Sequence, residues 1–168
     1  MKKGNTMNRI NLSLIITFAL VTIINLGCTE TKNESTPEEN NSIAHKGQLA
    51  PAEYFTGKTW VTGLVDNDSV FTTAAGSVFF EAGARSNWHS HPSGQILIVT
   101  EGVGYHQIKG EPIQIIRTGD LVKCPSNKVH WHGASKDSSM SHIYIVPNTE
   151  NGIVNWMRPV TDEEYRSL

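Results

Sequence analysis

Cysteine is scarce in this chain. Cys28 and Cys124 are the only two in 168 residues, too few for a disulfide framework. Basic charge is scarce as well. The 14 Lys and Arg are scattered and outnumbered by 16 Asp and Glu; the net charge of −2 carries no clustered basic face for nucleic acid. Only one apolar run approaches the length of a membrane span, which argues against a polytopic membrane protein. Long amphipathic helical patterns and internal repeats are absent. What remains is a globular composition, 38 % hydrophobic and 18 % charged, of a size that suits one domain. Histidine is the conspicuous presence: six of the seven lie between His89 and His142.

The N-terminus reads as a targeting segment. Lys2, Lys3 and Arg9 precede an uncharged apolar run, Ile10 to Leu26, followed by Gly27-Cys28. That order describes a secretory signal peptide. A cysteine directly after Leu26-Gly27 resembles the lipobox of bacterial lipoproteins, in which the cysteine is diacylated and becomes the mature N-terminus. Asn25 departs from the usual Leu three positions before it. The expected organisation is a lipoprotein signal peptide at 1–27, a flexible tether at 28–48 and a folded domain at 49–168. Losing Lys2, Lys3 and Arg9 leaves 11 basic and 16 acidic residues, a net charge of −5. The tether is rich in Thr, Glu, Asn, Ser and Lys and has too little apolar surface to fold. The expected location is the bacterial cell envelope, with membrane contact only through lipid on Cys28. Cys124, then the lone thiol, is read as a small buried hydrophobe.

From about Leu49 the pattern changes to short runs of Val, Ile, Thr, Phe and Tyr with period two. Lys58–Val65, Phe71–Glu81, Gln95–Glu101, Gly104–Ile108, Ile113–Arg117, Asp120–Cys124 and Ser139–Val146 read as strands. Turn signals such as Pro92-Ser93-Gly94 and Lys109-Gly110-Glu111-Pro112 separate them. This predicts an all-β barrel or sandwich. A short turn is expected at Pro51–Phe55. Thr161-Asp-Glu-Glu164 has capping-box spacing and predicts one short C-terminal helix.

His89-Ser-His91 and His130-Trp-His132 each place two imidazoles two residues apart, on one face of a strand. Gln95 follows the first pair across a turn, and His142 lies on a later strand. Neutral imidazole is the commonest metal ligand, and two such pairs in one β domain point to a metal site. Gly83-x5-His89-x-His91-x3-Gln95-x6-Gly102 resembles the first cupin motif. Gly119-x5-Pro125-x-Asn127-x2-His130 resembles the second. The resemblance implies a single cupin barrel, the double-stranded β-helix or jelly roll. It implies one divalent metal held by His89, His91, Gln95 and His130. Gln95 stands where glutamate is usual. Asn127 replaces the usual glycine, and asparagine tolerates a left-handed backbone.

Trp88-His-Ser-His-Pro-Ser-Gly-Gln95, His130-Trp-His-Gly133, Ser141-His142 and Val154-Asn-Trp-Met157 are similar to one subgroup. It is the small bacterial cupins that include manganese-dependent (R)-selective hydroxynitrile lyases. This resemblance makes Gln95 an expected ligand and implies manganese, with Fe, Ni or Zn also compatible. It maps two further histidines beside the metal onto His132 and His142.

A divalent cation with three imidazoles and one amide keeps its full +2 charge. It would be a stronger Lewis acid than with a carboxylate ligand. His132 would accept a substrate hydroxyl proton or orient the ligands. His142 would hydrogen-bond a small leaving anion such as cyanide or serve as support. The leading expectation is a metal-dependent lyase acting on a small hydroxy or carbonyl compound. The alternatives are a quercetinase-type dioxygenase and a lipid-anchored cupin that binds a small molecule without turnover. A homodimer is expected by analogy alone. Trp88, Trp131, Phe79 and Phe80 are read as packing residues, and Tyr144 and Val146 as pocket lining. Asp120 is read as a turn residue, His106 as an exposed strand residue, and Trp156 and Tyr165 as packing for the C-terminal segment.

Overall fold

The computed structural model describes residues 46–168; the expected signal peptide and most of the tether lie outside the described residues. The strands are β1 (Gln48–Leu49), β2 (Phe55–Thr56), β3 (Thr59–Val65), β4 (Thr73–Phe80), β5 (Arg85–Ser86), β6 (His89–Ser90), β7 (Gln95–Ile108), β8 (Gln114–Arg117), β9 (Leu121–Cys124), β10 (His130–Ala134), β11 (Met140–Pro147) and β12 (Asn155–Trp156). A 3-10 turn spans Thr149–Asn151, and α1 spans Asp162–Tyr165. Pairing is antiparallel throughout, in the order β1-β3-β4-β11-β7-β10-β5-β2, with β9 and β8 also on β7. This is an all-β barrel of the double-stranded β-helix kind that the motif resemblance implies.

The fold turns on β7. Its first half pairs with β11 and β9, its second half with β10 and β8, so one strand serves both sheets. The sequence pattern splits it into two strands because Gly102 interrupts the apolar alternation. Gly102 instead bends one continuous strand: its φ is 77°, and a Cβ there would collide with the Ser139 carbonyl. Just before it, Glu101 faces Ser141 and Val99 faces His142, leaving Thr100 as an extra residue. A bulge of one residue exchanges the inward and outward sets of a strand. Gln95, Leu97 and Val99 are therefore buried before the bulge, and His106 after it.

Val78, Phe80, Leu97, Val99, Met140 and Cys124 pack inside the barrel. Burial of each large side chain of this kind contributes about 1.5–3 kcal/mol. Cys124 is a buried free thiol whose pKa is pushed up to about 12 by burial. A second cluster covers the outer side of β10: Trp88, Tyr105, Trp131, Val160 and Tyr165. The Tyr165 hydroxyl donates to the Ala134 carbonyl at 2.8 Å, and Arg85 binds Asp162 at 2.7 Å. The predicted capping box is present. Thr161 Oγ1 accepts from the Glu164 N–H, and Glu164 accepts from the Thr161 N–H. β10 is thus buried on both faces, which lets it carry imidazoles inward and Trp131 outward. The strand pattern misses β10 because His130-Trp-His-Gly133 has no β-branched residue. Asp120 holds its turn by accepting from the Arg117 N–H at 2.8 Å.

Candidate metal centre

Two tight turns bring the two motifs together. Gly94, at φ 81°, closes the Pro92–Gly94 turn and delivers Gln95. Asn127, at φ 60°, closes the second-motif turn in the left-handed conformation its side chain tolerates. The Asn127 N–H donates to the His91 carbonyl at 2.9 Å, and the Ser126 hydroxyl donates to the Pro92 carbonyl. β6 then pairs with β10 so that His89 faces His130 directly, their rings 4.3 Å apart. The His91 ring lies 5.2 Å from that of His89 and 5.5 Å from that of His130. Gln95 Oε1 is 3.2 Å from His130 Nε2. The four sequence-predicted ligands are thereby brought to one place.

The tautomers follow from the backbone. Nδ1 of His89 lies 2.8 Å from the Asn87 carbonyl, Nδ1 of His91 2.6 Å from the Ile153 carbonyl, and Nδ1 of His130 2.9 Å from the Lys128 carbonyl. A carbonyl only accepts, so Nδ1 of His89 and His91 carries the proton and Nε2 presents its lone pair. At His130 both nitrogens face an oxygen, and the shorter contact, 2.9 Å to Lys128 against 3.2 Å to Gln95 Oε1, assigns the proton to Nδ1. This arrangement orients imidazoles toward a metal and raises their basicity. Ligand atoms of His89, His130 and His132 lie within 4.8 Å of one another. His132 differs, because its Nδ1 has no carbonyl partner. The donor set His89, His91, Gln95 and His130 has the chemistry to hold a divalent cation, while the histidines whose ligand atoms lie within mutual reach are His89, His130 and His132.

Burial pushes all six clustered imidazoles down. His130 falls to about 3, His106 and His142 to about 4, and His89, His91 and His132 lie below the usual imidazole value. Neighbouring imidazoles add to the effect at His89, His130 and His132. All are neutral near pH 7 and free to donate lone pairs. No buried carboxylate occurs among the described residues.

A cavity of about 800 Å³ opens onto His89, His91, Gln95, His132 and His142. Val61, Val78, Tyr144, Val146 and Trp156 form part of its wall, as expected for Tyr144 and Val146. Phe80 packs beneath, 5.9 Å from the His132 ring and 5.7 Å from that of His142. Neither nitrogen of His142 has a hydrogen-bond partner. Trp88 and Trp131 pack outside the barrel as expected, and Trp60 flanks Phe79 at 5.7 Å.

One sequence expectation is corrected. His106 is buried, with Nε2 3.3 Å from Cys124 Sγ and its ring 5.7 Å from His130. The Thr100 bulge reverses the face that simple alternation assigns to it. Trp156 does more than pack the C-terminus: its ring is 4.9 Å from that of His89 and stacks on Tyr54 at 4.8 Å. The carbonyls of Asn87, Lys128 and Ile153 have no side-chain signature, so the sequence does not disclose them.

The cupin domain family matches residues 76–146, which hold all four ligand candidates. The chain belongs to the cupin family. It is 42 % identical over 116 residues to an (R)-mandelonitrile lyase of Granulicella tundricola, an alignment covering 69 % of this chain and 88 % of that protein. It is 48 % identical to a cupin-like protein of Thermotoga maritima whose solved structure superposes with a TM-score of 0.72, covering 74 % of this chain and 95 % of that one. A Klebsiella pneumoniae protein with a double-stranded β-helix domain shares the fold at 14 % identity and a TM-score of 0.57, covering 70 % of this chain and 95 % of that one.

Proposed function

We propose that this protein is a metal-dependent lyase that cleaves or forms the carbon–carbon bond of a small hydroxynitrile. One observation carries the reading. Three imidazoles with carbonyl-bound Nδ1 atoms converge with the Gln95 amide at an apolar-walled cavity, with no carboxylate among them. The resemblance to the Granulicella (R)-mandelonitrile lyase supports it.

A divalent cation held by His89, His91, Gln95 and His130, manganese in our assignment, would polarise a substrate oxygen in the manner of a Lewis acid. His132 accepts the proton of the substrate hydroxyl as the carbonyl forms. His142, 4.8 Å from the His132 ring, hydrogen-bonds the departing cyanide. The electron pair of the breaking bond leaves with cyanide, so no oxidant is needed. Val61, Val78 and Val146 line the cavity and would give the reacting carbon an apolar surround. A quercetinase-type reaction would consume oxygen and ordinarily uses a carboxylate ligand, which Gln95 does not supply.

The test is an anaerobic assay of the manganese-loaded protein on mandelonitrile. Release of benzaldehyde and cyanide without oxygen supports the lyase. Full metal loading with no turnover under either atmosphere favours the binding role. We further propose that the mature protein is tethered to the cell envelope by lipid on Cys28. Intact mass of membrane-extracted protein should show a diacylglycerol adduct there. Membrane partition retained by a cleaved Cys28→Ala variant would refute the tether.

A further inference from the structure

The segment that follows the cupin match runs alongside the first histidine motif. The match ends at residue 146. The Ser93 hydroxyl donates to the Asn148 carbonyl at 3.3 Å, and the Asn151 amide donates to Ser93 Oγ at 3.2 Å. Gly152, at φ 100°, turns the chain back over Pro92. β12 then pairs with β6, Asn155 facing Ser90 and Trp156 facing His89. The Met157 N–H donates to the Trp88 carbonyl at 2.9 Å, and the Trp88 N–H donates to the Arg158 carbonyl at 3.1 Å. The Asn87 amide donates to the Met157 carbonyl at 3.2 Å.

Two of these contacts reach the imidazoles themselves. The Ile153 carbonyl is the acceptor for His91 Nδ1. The Trp156 ring lies against His89, held between Tyr54 and Phe55. The far end is fastened independently. Arg158 makes two hydrogen bonds to Glu164, at 2.6 and 2.8 Å, and Glu164 also accepts from Trp88 Nε1 at 3.3 Å.

We propose that residues 153–157 are a strap that sets the tautomer of His91 and the ring plane of His89, making metal affinity depend on residues outside the two histidine motifs of the barrel. His130 provides the internal contrast. Its Nδ1 is held by the Lys128 carbonyl, two residues away in its own motif. Displacing the strap should therefore release His91 and leave His130 in place. Ile153 and Trp156 act here as positioning residues: they touch ligand side chains and take no part in bond breaking. Trp156 and Ile153 also line the cavity, so strap displacement widens the space above the ligands.

The inference rests on the metal reading for its affinity claim and on hydrogen bonding alone for its tautomer claim. The experiment separates them. A single glycine inserted between Val154 and Asn155 shifts Ile153 out of register with Trp156. Trp156→Ala and Trp156→Phe test the ring contact without altering chain length. Long-range proton–nitrogen correlation spectra of the chelator-treated proteins report each imidazole tautomer. Manganese competition with a chelator reports affinity. We expect the insertion to mix the His91 tautomers, to leave His130 in its Nδ1–H form, and to weaken manganese by about 10- to 100-fold. Trp156→Phe should restore most of what Trp156→Ala loses. An unchanged His91 tautomer in the insertion variant would overturn the strap. Failure of the wild-type protein to bind any divalent ion, with the His91 tautomer released as expected, would overturn the metal reading and leave the strap standing.

Discussion

His132 and His142 meet edge to face, ring centres 4.8 Å apart at 83°, although they come from different strands and neither has its Nδ1 hydrogen-bonded. They differ in this from His89, His91 and His130, whose Nδ1 atoms all face carbonyls. Groups that act on a substrate must keep a nitrogen available, whereas ligands benefit from being fixed. His132→Ala should therefore retain the metal while turnover falls about 100-fold or more. His89→Ala or His130→Ala should lower metal occupancy roughly ten-fold or more. Elemental analysis of these variants and of His91→Ala, with turnover measured alongside, checks both statements. Metal loss in His132→Ala with retention in His91→Ala would put His132 in the ligand set instead.

Gln95 decides the charge of the centre. Its amide and the imidazoles leave a bound cation uncompensated, and no buried carboxylate lies nearby among the described residues. Gln95→Glu fits the same position and should keep the metal. The added negative charge weakens polarisation of a bound oxygen. A fall in cyanohydrin turnover of roughly two to three orders of magnitude is expected. Undiminished turnover at equal metal content would show that the electrostatic argument is wrong.

Acid should destabilise the metal-free protein over a definite window. The unfolded imidazole titrates near 6.5, while His106 and His142 are held at about 4 and His130 at about 3 by burial. Between these values the unfolded chain binds more protons than the folded one, so stability rises with pH. This contribution is complete above about pH 6.5 and is lost as pH falls toward 4, a tenfold difference in proton affinity being worth about 1.4 kcal/mol. Thermal unfolding of chelator-treated protein across that range should show a steep fall in Tm on acidification. A flat Tm would mean that these imidazoles are protonated in the folded state.

Gly102→Ala tests the bend in β7. The site needs φ near 77° and no Cβ, since one would strike the Ser139 carbonyl. The cost combines left-handed backbone, about 1–2 kcal/mol, with displacement of β11 against β7. Denaturant unfolding should show a loss of at least about 2 kcal/mol. A smaller loss would mean that the bulge absorbs the extra atom.

Much of the barrel and its centre is legible in the chain because the cues are local. The His-x-His pairs point to a metal site by their spacing, the resemblance to cupins adds Gln95 to them, and Asn127 adopts the left-handed turn its side chain permits. Other features are not local. Simple alternation puts His106 on the wrong face because a single extra residue, Thr100, reverses the pattern and leaves no compositional mark. β10 escapes the strand pattern because His130-Trp-His-Gly133 has no β-branched residue, and the Val160 and Tyr165 that cover its outer face lie far away in the chain. The Ile153 carbonyl lies 62 residues from the imidazole it fixes. Backbone acceptors carry no residue identity, so only the folded register reveals them.

The most direct test of the proposed metal-dependent lyase activity is chelation and reconstitution, read as anaerobic turnover of (R)-mandelonitrile. Aldehyde release by the metal-loaded protein is predicted, with its loss when the metal is stripped and its return on addition of manganese. Turnover that survives complete metal removal would contradict this, as would a fully loaded protein that leaves the cyanohydrin intact and consumes oxygen with a flavonol.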